Sequence, residues 1–131
     1  MRYLLAGAFS KQVPLIKFLS SDLSHDNQLV VYDGINKCSW NGGRINRDVY
    51  YTDALVNYYY SKGVSIALTF SNHNIDLSDK LGNELLQKFH RSGNALIIVN
   101  DNLRQYVRDN FPLYDLIFSI TGMGKLNIPL Q

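Results

Sequence analysis

The chain has 131 residues, 46% of them apolar and 18% charged, a composition that excludes a disordered protein and supplies enough apolar side chains for one core. Thirteen Lys and Arg against eleven Asp and Glu leave a net charge of +2, far from the basic excess that phosphate-backbone binding needs, so nucleic acid is not indicated as a partner. No stretch approaches the roughly 20 apolar residues needed to cross a bilayer, and the lone Cys38 fits a reducing, cytoplasmic compartment.

Five short apolar runs read as strands: Tyr3 to Phe9, Gln28 to Tyr32, Val64 to Phe70, Ala95 to Val99 and Leu116 to Ile120. The segments Val30-Val31-Tyr32, Ile66 to Phe70 and Leu96 to Val99 are almost continuously apolar, as in parallel strands covered on both faces. Helical patterns separate the runs. Pro14 opens a short one with Leu15, Ile16, Phe18 and Leu19 on its apolar side. Thr52 caps a second, carrying Leu55, Val56, Tyr58 and Tyr59, and Gly63 stops it. Ser78 or Asp76 caps a third, with Leu81, Leu85, Leu86 and Phe89 on its buried side and Arg91 and Gly93 at its end. Asn100 or Asp101 opens a fourth, with Leu103, Tyr106, Val107 and Phe111 at spacings of three and four until Pro112 forbids continuation. Strand and helix thus alternate, which predicts an α/β fold with a parallel sheet joined by right-handed crossovers, either a half-TIM-barrel or a small open doubly wound sheet. The expected domain spans residues 1–131, with an irregular tail from about residue 122 that holds Gly122, Gly124 and Pro129.

In parallel α/β folds ligands sit beyond the carboxyl ends of the strands, and the residues that follow each run here are polar. Asp33 and Gly34 lead into the longest loop, where Trp40, Asn41, Gly42 and Gly43 precede Arg44 and Arg47. The glycines permit close backbone approach and the two arginines are suited to a phosphate or carboxylate. The same segment also reads as a plain glycine turn with arginines paired to Asp48 or Asp33 and Trp40 covering the core. It lacks the Lys followed by Ser or Thr of a phosphate-cradling loop. Asn72, His73 and Asn74 follow the third run, and Asn100 and Asp101 the fourth. His73 is the candidate general acid or base, with Asp101 to orient it, against the alternative of a solvated loop histidine. Ligand-binding candidates are Asp33, Asn41, Arg44, Arg47, Asn72 and Asn100. No His or Cys pattern has metal-ligand spacing, so neither a metal nor a cofactor is expected.

The succession Ala6-Gly7-Ala8-Phe9, Val31-Tyr32-Asp33-Gly34, Asn41-Gly42-Gly43-Arg44 and Leu68-Thr69-Phe70-Ser71-Asn72 resembles the opening half of a TIM-barrel protein, of the sort seen in collagenase-like peptidases and radical-SAM-type barrels. The resemblance covers residues 1–121 and implies a site at the carboxyl ends of the strands. The three-cysteine cluster motif of the radical-SAM group is absent, so that group's cofactor is not implied, and no peptidase catalytic residue carries over.

Three functions fit this pattern. The first is a small binding domain for an anionic or polar ligand at the strand rim; the second is an enzyme with acid–base chemistry at His73 or Asp101; the third is a protein-interaction or scaffolding domain. A homodimer is expected from the half-barrel reading, because five parallel strands cannot close a barrel and leave edges that need covering; an open doubly wound sheet could cover itself with helices on both faces, but only four helical segments are available and the first is short. The tyrosines 58 to 60 and the first and last strands are the candidate contact surfaces.

Overall fold

The structure is a computed structural model that describes residues 2–9, 28–35, 37–41, 51–119 and 127–130. Its strands are β1 (Arg2–Ala6), β2 (Gln28–Asp33), β3 (Ser65–Phe70), β4 (Ala95–Ile98), β5 (Asp115–Ser119) and β6 (Asn127–Leu130), and its helices are α1 (Asp53–Ser61), α2 (Lys80–Lys88) and α3 (Asp101–Asn110). The helix expected from Pro14 lies outside the described residues.

The sheet runs in sequence order from β1 to β6, with β1 to β5 all parallel and β6 antiparallel to β5. It is an open α/β sheet, without the reversal of strand order that marks a doubly wound arrangement. The tail expected to be irregular from residue 122 therefore carries a strand at 127–130. Pro129 hid it: proline is excluded from central strands but tolerated at an edge, where its missing N–H can face outward.

The pleat divides the sheet's side chains between two layers. Leu29, Val31, Ile66, Leu68, Phe70, Leu96, Ile98 and Leu116 share one core with Leu55, Val56 and Tyr59 of α1, Leu85 and Leu86 of α2, and Leu103 and Val107 of α3. All three helices thus pack on one face. Val30, Ala67, Ala95 and Ile117 form a smaller cluster on the other face, flanked by Tyr32 and Ile97.

Local chemistry fixes the element ends. Thr52 Oγ1 accepts from Leu55 N–H at 3.2 Å and caps α1, while Gly63, at φ +71°, takes the left-handed conformation after it. Asn100 Oδ1 accepts from Leu103 N–H at 2.9 Å and caps α3. The cap of α2 is neither Ser78 nor Asp76 but Asp79, whose Oδ2 accepts from Gly82 N–H at 2.8 Å. Asp76 is engaged one turn earlier, where its Oδ1 accepts from Ser78 N–H and Oγ at 3.0 and 2.6 Å. These bonds hold the Asp76 carboxyl below the usual range. β1 stops at Ala6, short of the expected Phe9, because Gly7 at φ +89° turns the chain so that the N–H groups of Gly7 and Ala8 both donate to Tyr32 O.

Candidate functional site

The carboxyl ends of β1 to β4 are joined by polar side chains that each reach back to the preceding loop. Asp33, the last residue of β2, accepts from Phe9 N–H through Oδ2 at 3.0 Å and from Gly34 N–H through Oδ1 at 2.9 Å. Asn72, just beyond β3, donates its Nδ2 to Ser39 O at 2.8 Å and its backbone N–H to Trp40 O at 3.0 Å. Its Oδ1 accepts from Asn74 N–H. Asn100, just beyond β4, donates Nδ2 to His73 O at 2.7 Å. Four successive loops thereby form one continuous rim.

The loop after β2 is anchored from beneath as well. Trp40 is fully buried, and its Nε1–H donates to Asp76 O at 2.8 Å. Ser39 Oγ donates to Asp79 Oδ1 at 2.9 Å, so one carboxylate caps α2 with one oxygen and holds the rim loop with the other. Cys38 is buried in this loop; burial pushes its thiol up, and the Asp79 carboxylate adds to that. The loop after β1 is held by Tyr59 of α1, whose hydroxyl donates to Ala8 O.

Within this rim Asn41 differs from its neighbours. Its backbone N–H donates to Cys38 O at 3.1 Å, but its side-chain Nδ2 is buried without a hydrogen-bond partner. It lies against Gly34, where a Cβ would come within 2.8 Å of that nitrogen, so glycine admits the amide to the carboxyl end of β2.

Of the other residues expected at the site, Asp33, Asn72 and Asn100 stand on the rim with bonds that order its loops. His73 is on the rim and exposed, tied through its carbonyl. Asp101 is exposed and pairs with Arg104 of its own helix, Nε to Oδ1 3.2 Å. Arg44 and Arg47 lie outside the described residues. Residue types at strand ends suggested the rim; Asp79 was missed because Asp76 and Ser78 compete for the same cap and because its second task, holding Ser39, links segments far apart in sequence. Among the described residues no group of three His, Cys, Asp or Glu side chains is arranged to hold a metal ion, and no helix is long and apolar enough to cross a membrane. A cavity of about 440 Å³ lies at the opposite end of the sheet, between the end of α3 and the start of β5, and is lined by Val107, Arg108, Phe111, Tyr114 and Asp115 among others. Comparison with known protein families, with curated proteins and with solved structures finds no match to this chain.

Proposed function

We propose that this chain is a binding domain for a small oxyanion, a phosphate or carboxylate, taken at the carboxyl ends of its strands beside Gly34 and Asn41. The observation that carries the reading is the buried, unpartnered Nδ2 of Asn41. A buried donor without an acceptor costs about 1–3 kcal/mol, and a ligand oxygen placed against it recovers that cost. Arg44 and Arg47 follow closely in the sequence and are of the residue type that an anion site uses. The resemblance to barrel proteins favours the same end of the sheet. Binding is preferred to acid–base catalysis because the observation at Asn41 concerns a hydrogen-bond donor and not a titrating group. A reducing cytoplasm suits the buried single thiol.

Inorganic phosphate is the probe and thermal unfolding the readout, since a ligand of the native state stabilises it by about 2.7 kcal/mol at a hundred times its Kd. Phosphate should raise the Tm of the wild type and leave those of Asn41→Leu and of the Arg44→Ala/Arg47→Ala double variant unmoved. Without phosphate, Asn41→Leu should melt no lower than the wild type, because it removes an unpaired donor. Equal phosphate shifts in all three proteins would defeat the proposal.

A second reading, association into a homodimer, is favoured by the open sheet, which ends at β1 on one side and β6 on the other. Sedimentation equilibrium tests it, and a monomer throughout the micromolar range removes it.

A further inference from the structure

We infer that the outer edge of β1 is the self-association surface, with two copies pairing their β1 strands antiparallel about a twofold axis; this rests on the homodimer reading and names its interface. Among the described residues β1 pairs with β2 alone, so one side of its backbone faces no strand. The two ends of the sheet are not equivalent. β6 is four residues long and contains Pro129, which removes a donor from that edge and disfavours a further strand. β1 has no Pro and no Gly, and between Tyr3 and Ala6 it has no charge. Among the described residues it has no proline, no bulge and no charge other than Arg2 at its start.

Side-chain exposure points the same way. Leu4 is 38% exposed and, with Leu113 in the turn before β5, is one of two large apolar side chains exposed among the described residues. Ala6 beside it is exposed too. The tyrosines of α1 offer no comparable surface: Tyr59 is fully buried, Tyr58 has the Lys62 ammonium 5.8 Å from its ring centre, and Tyr60 has the Arg91 guanidinium at 3.8 Å.

The occupant is a second copy because the edge is close to self-complementary. Antiparallel pairing centred on Leu4 sets Leu4 against Leu4 across the axis and, by register, positions 3 and 5 and positions 2 and 6 opposite each other, so that the one charged residue of the strand falls at the ends of the pairing. A contact of five residues a side is small, so the dimer should be weak, with a Kd on the order of micromolar.

The test is sedimentation equilibrium of the full chain between about 1 and 200 µM, on the wild type, Leu4→Lys, Leu4→Glu and an equimolar mixture of the two variants, with circular dichroism as the check on folding. The wild type should dimerise, each variant alone should be at least tenfold weaker because like charges face each other across the axis, and the mixture should regain the dimer. Amide exchange of the wild type provides a reading that needs no variant: β1 amides should exchange more slowly at 200 µM than at 2 µM. A monomeric wild type overturns the homodimer reading and this one together. A wild-type dimer that Leu4→Lys leaves intact, or whose β1 exchange ignores concentration, overturns the edge assignment and leaves the homodimer standing. A mixture that stays monomeric overturns the register centred on Leu4.

Discussion

The ring of Trp40 occupies the space that a side chain on Gly82 would need, for a methyl group there would stand 2.5 Å from the ring carbons. The rim loop after β2 is thus seated on the first turn of α2 by close packing, in addition to the Asp79 bonds. Alanine normally favours a helix over glycine by about 1 kcal/mol. Here the clash with a fully buried ring outweighs that gain, and Gly82→Ala should destabilise by about 1–3 kcal/mol in urea unfolding. Combined with Trp40→Ala, it should cost less than the sum of the two single changes. Strict additivity would show that the ring and the glycine do not meet.

Asn94 joins three elements from a fully buried position. Its Oδ1 accepts from Ile66 N–H of β3 at 2.8 Å, and its Nδ2 donates to Phe89 O at 3.0 Å and to the Tyr60 hydroxyl at 2.9 Å. Asn94→Ala leaves the Ile66 donor and the Phe89 acceptor unpaired in the interior, a cost of about 2–5 kcal/mol. Asn94→Asp keeps the acceptor for Ile66 but sets a carboxylate against Phe89 O, so it should also destabilise, and less so at low pH where the acid carries a proton. Chemical denaturation at pH 4 and 7 separates the two effects.

Much of this frame was legible in the sequence because its signals are local. Thr52 and Gly63 bracket α1 as their chemistry demands, and the apolar runs mark all five parallel strands. What was not legible depends on competition or distance. Three acceptors, Asp76, Ser78 and Asp79, crowd the start of α2, and the choice of Asp79 follows from Trp40 and Ser39 arriving from another loop. The alternation of strand and helix does not say on which face the helices lie. The rim residues were recognisable by type and place, but whether an amide is paired is set by tertiary placement: Asn72 meets Ser39 of a distant segment, whereas Asn41 packs against Gly34 and finds no acceptor.

The two roles of Asp79 give a third prediction. Asp79→Ala removes a helix cap and the acceptor for Ser39, and should cost about 1–2 kcal/mol. Ser78→Ala removes an exposed bond within one turn and should change stability by less than about 0.5 kcal/mol. Because Asp79 also holds the loop that buries Cys38, Asp79→Ala should speed the reaction of that thiol with a disulfide reagent under native conditions, whereas Ser78→Ala should not. Equal labelling rates in both variants would detach Asp79 from the loop.

The last prediction concerns alkaline pH. The phenol of Tyr59 is fully buried and donates to Ala8 O; burial, followed by the nearby Asp33 carboxylate, pushes its pKa up to about 12. The folded state therefore keeps this proton where the unfolded chain, titrating near 10, gives it up. Below pH 10 both states are protonated and the contribution is whole. Between pH 10 and 12 the unfolded state gains by ionising, and the contribution is lost as pH rises through the folded value, a change of about 3 kcal/mol over the whole interval. Tyr114, whose hydroxyl donates to Leu86 O at 2.5 Å, is pushed up by burial and acts in the same direction. Urea unfolding of the wild type should thus weaken steeply above pH 10. Tyr59→Phe should be less stable at pH 8 by about 1–3 kcal/mol, because Ala8 O loses its donor, yet its stability should fall less steeply from pH 10 to 12. Lysine deprotonation is common to both proteins and cancels in the comparison. If the two lose stability in parallel over that interval, Tyr59 is not the group whose proton the fold retains.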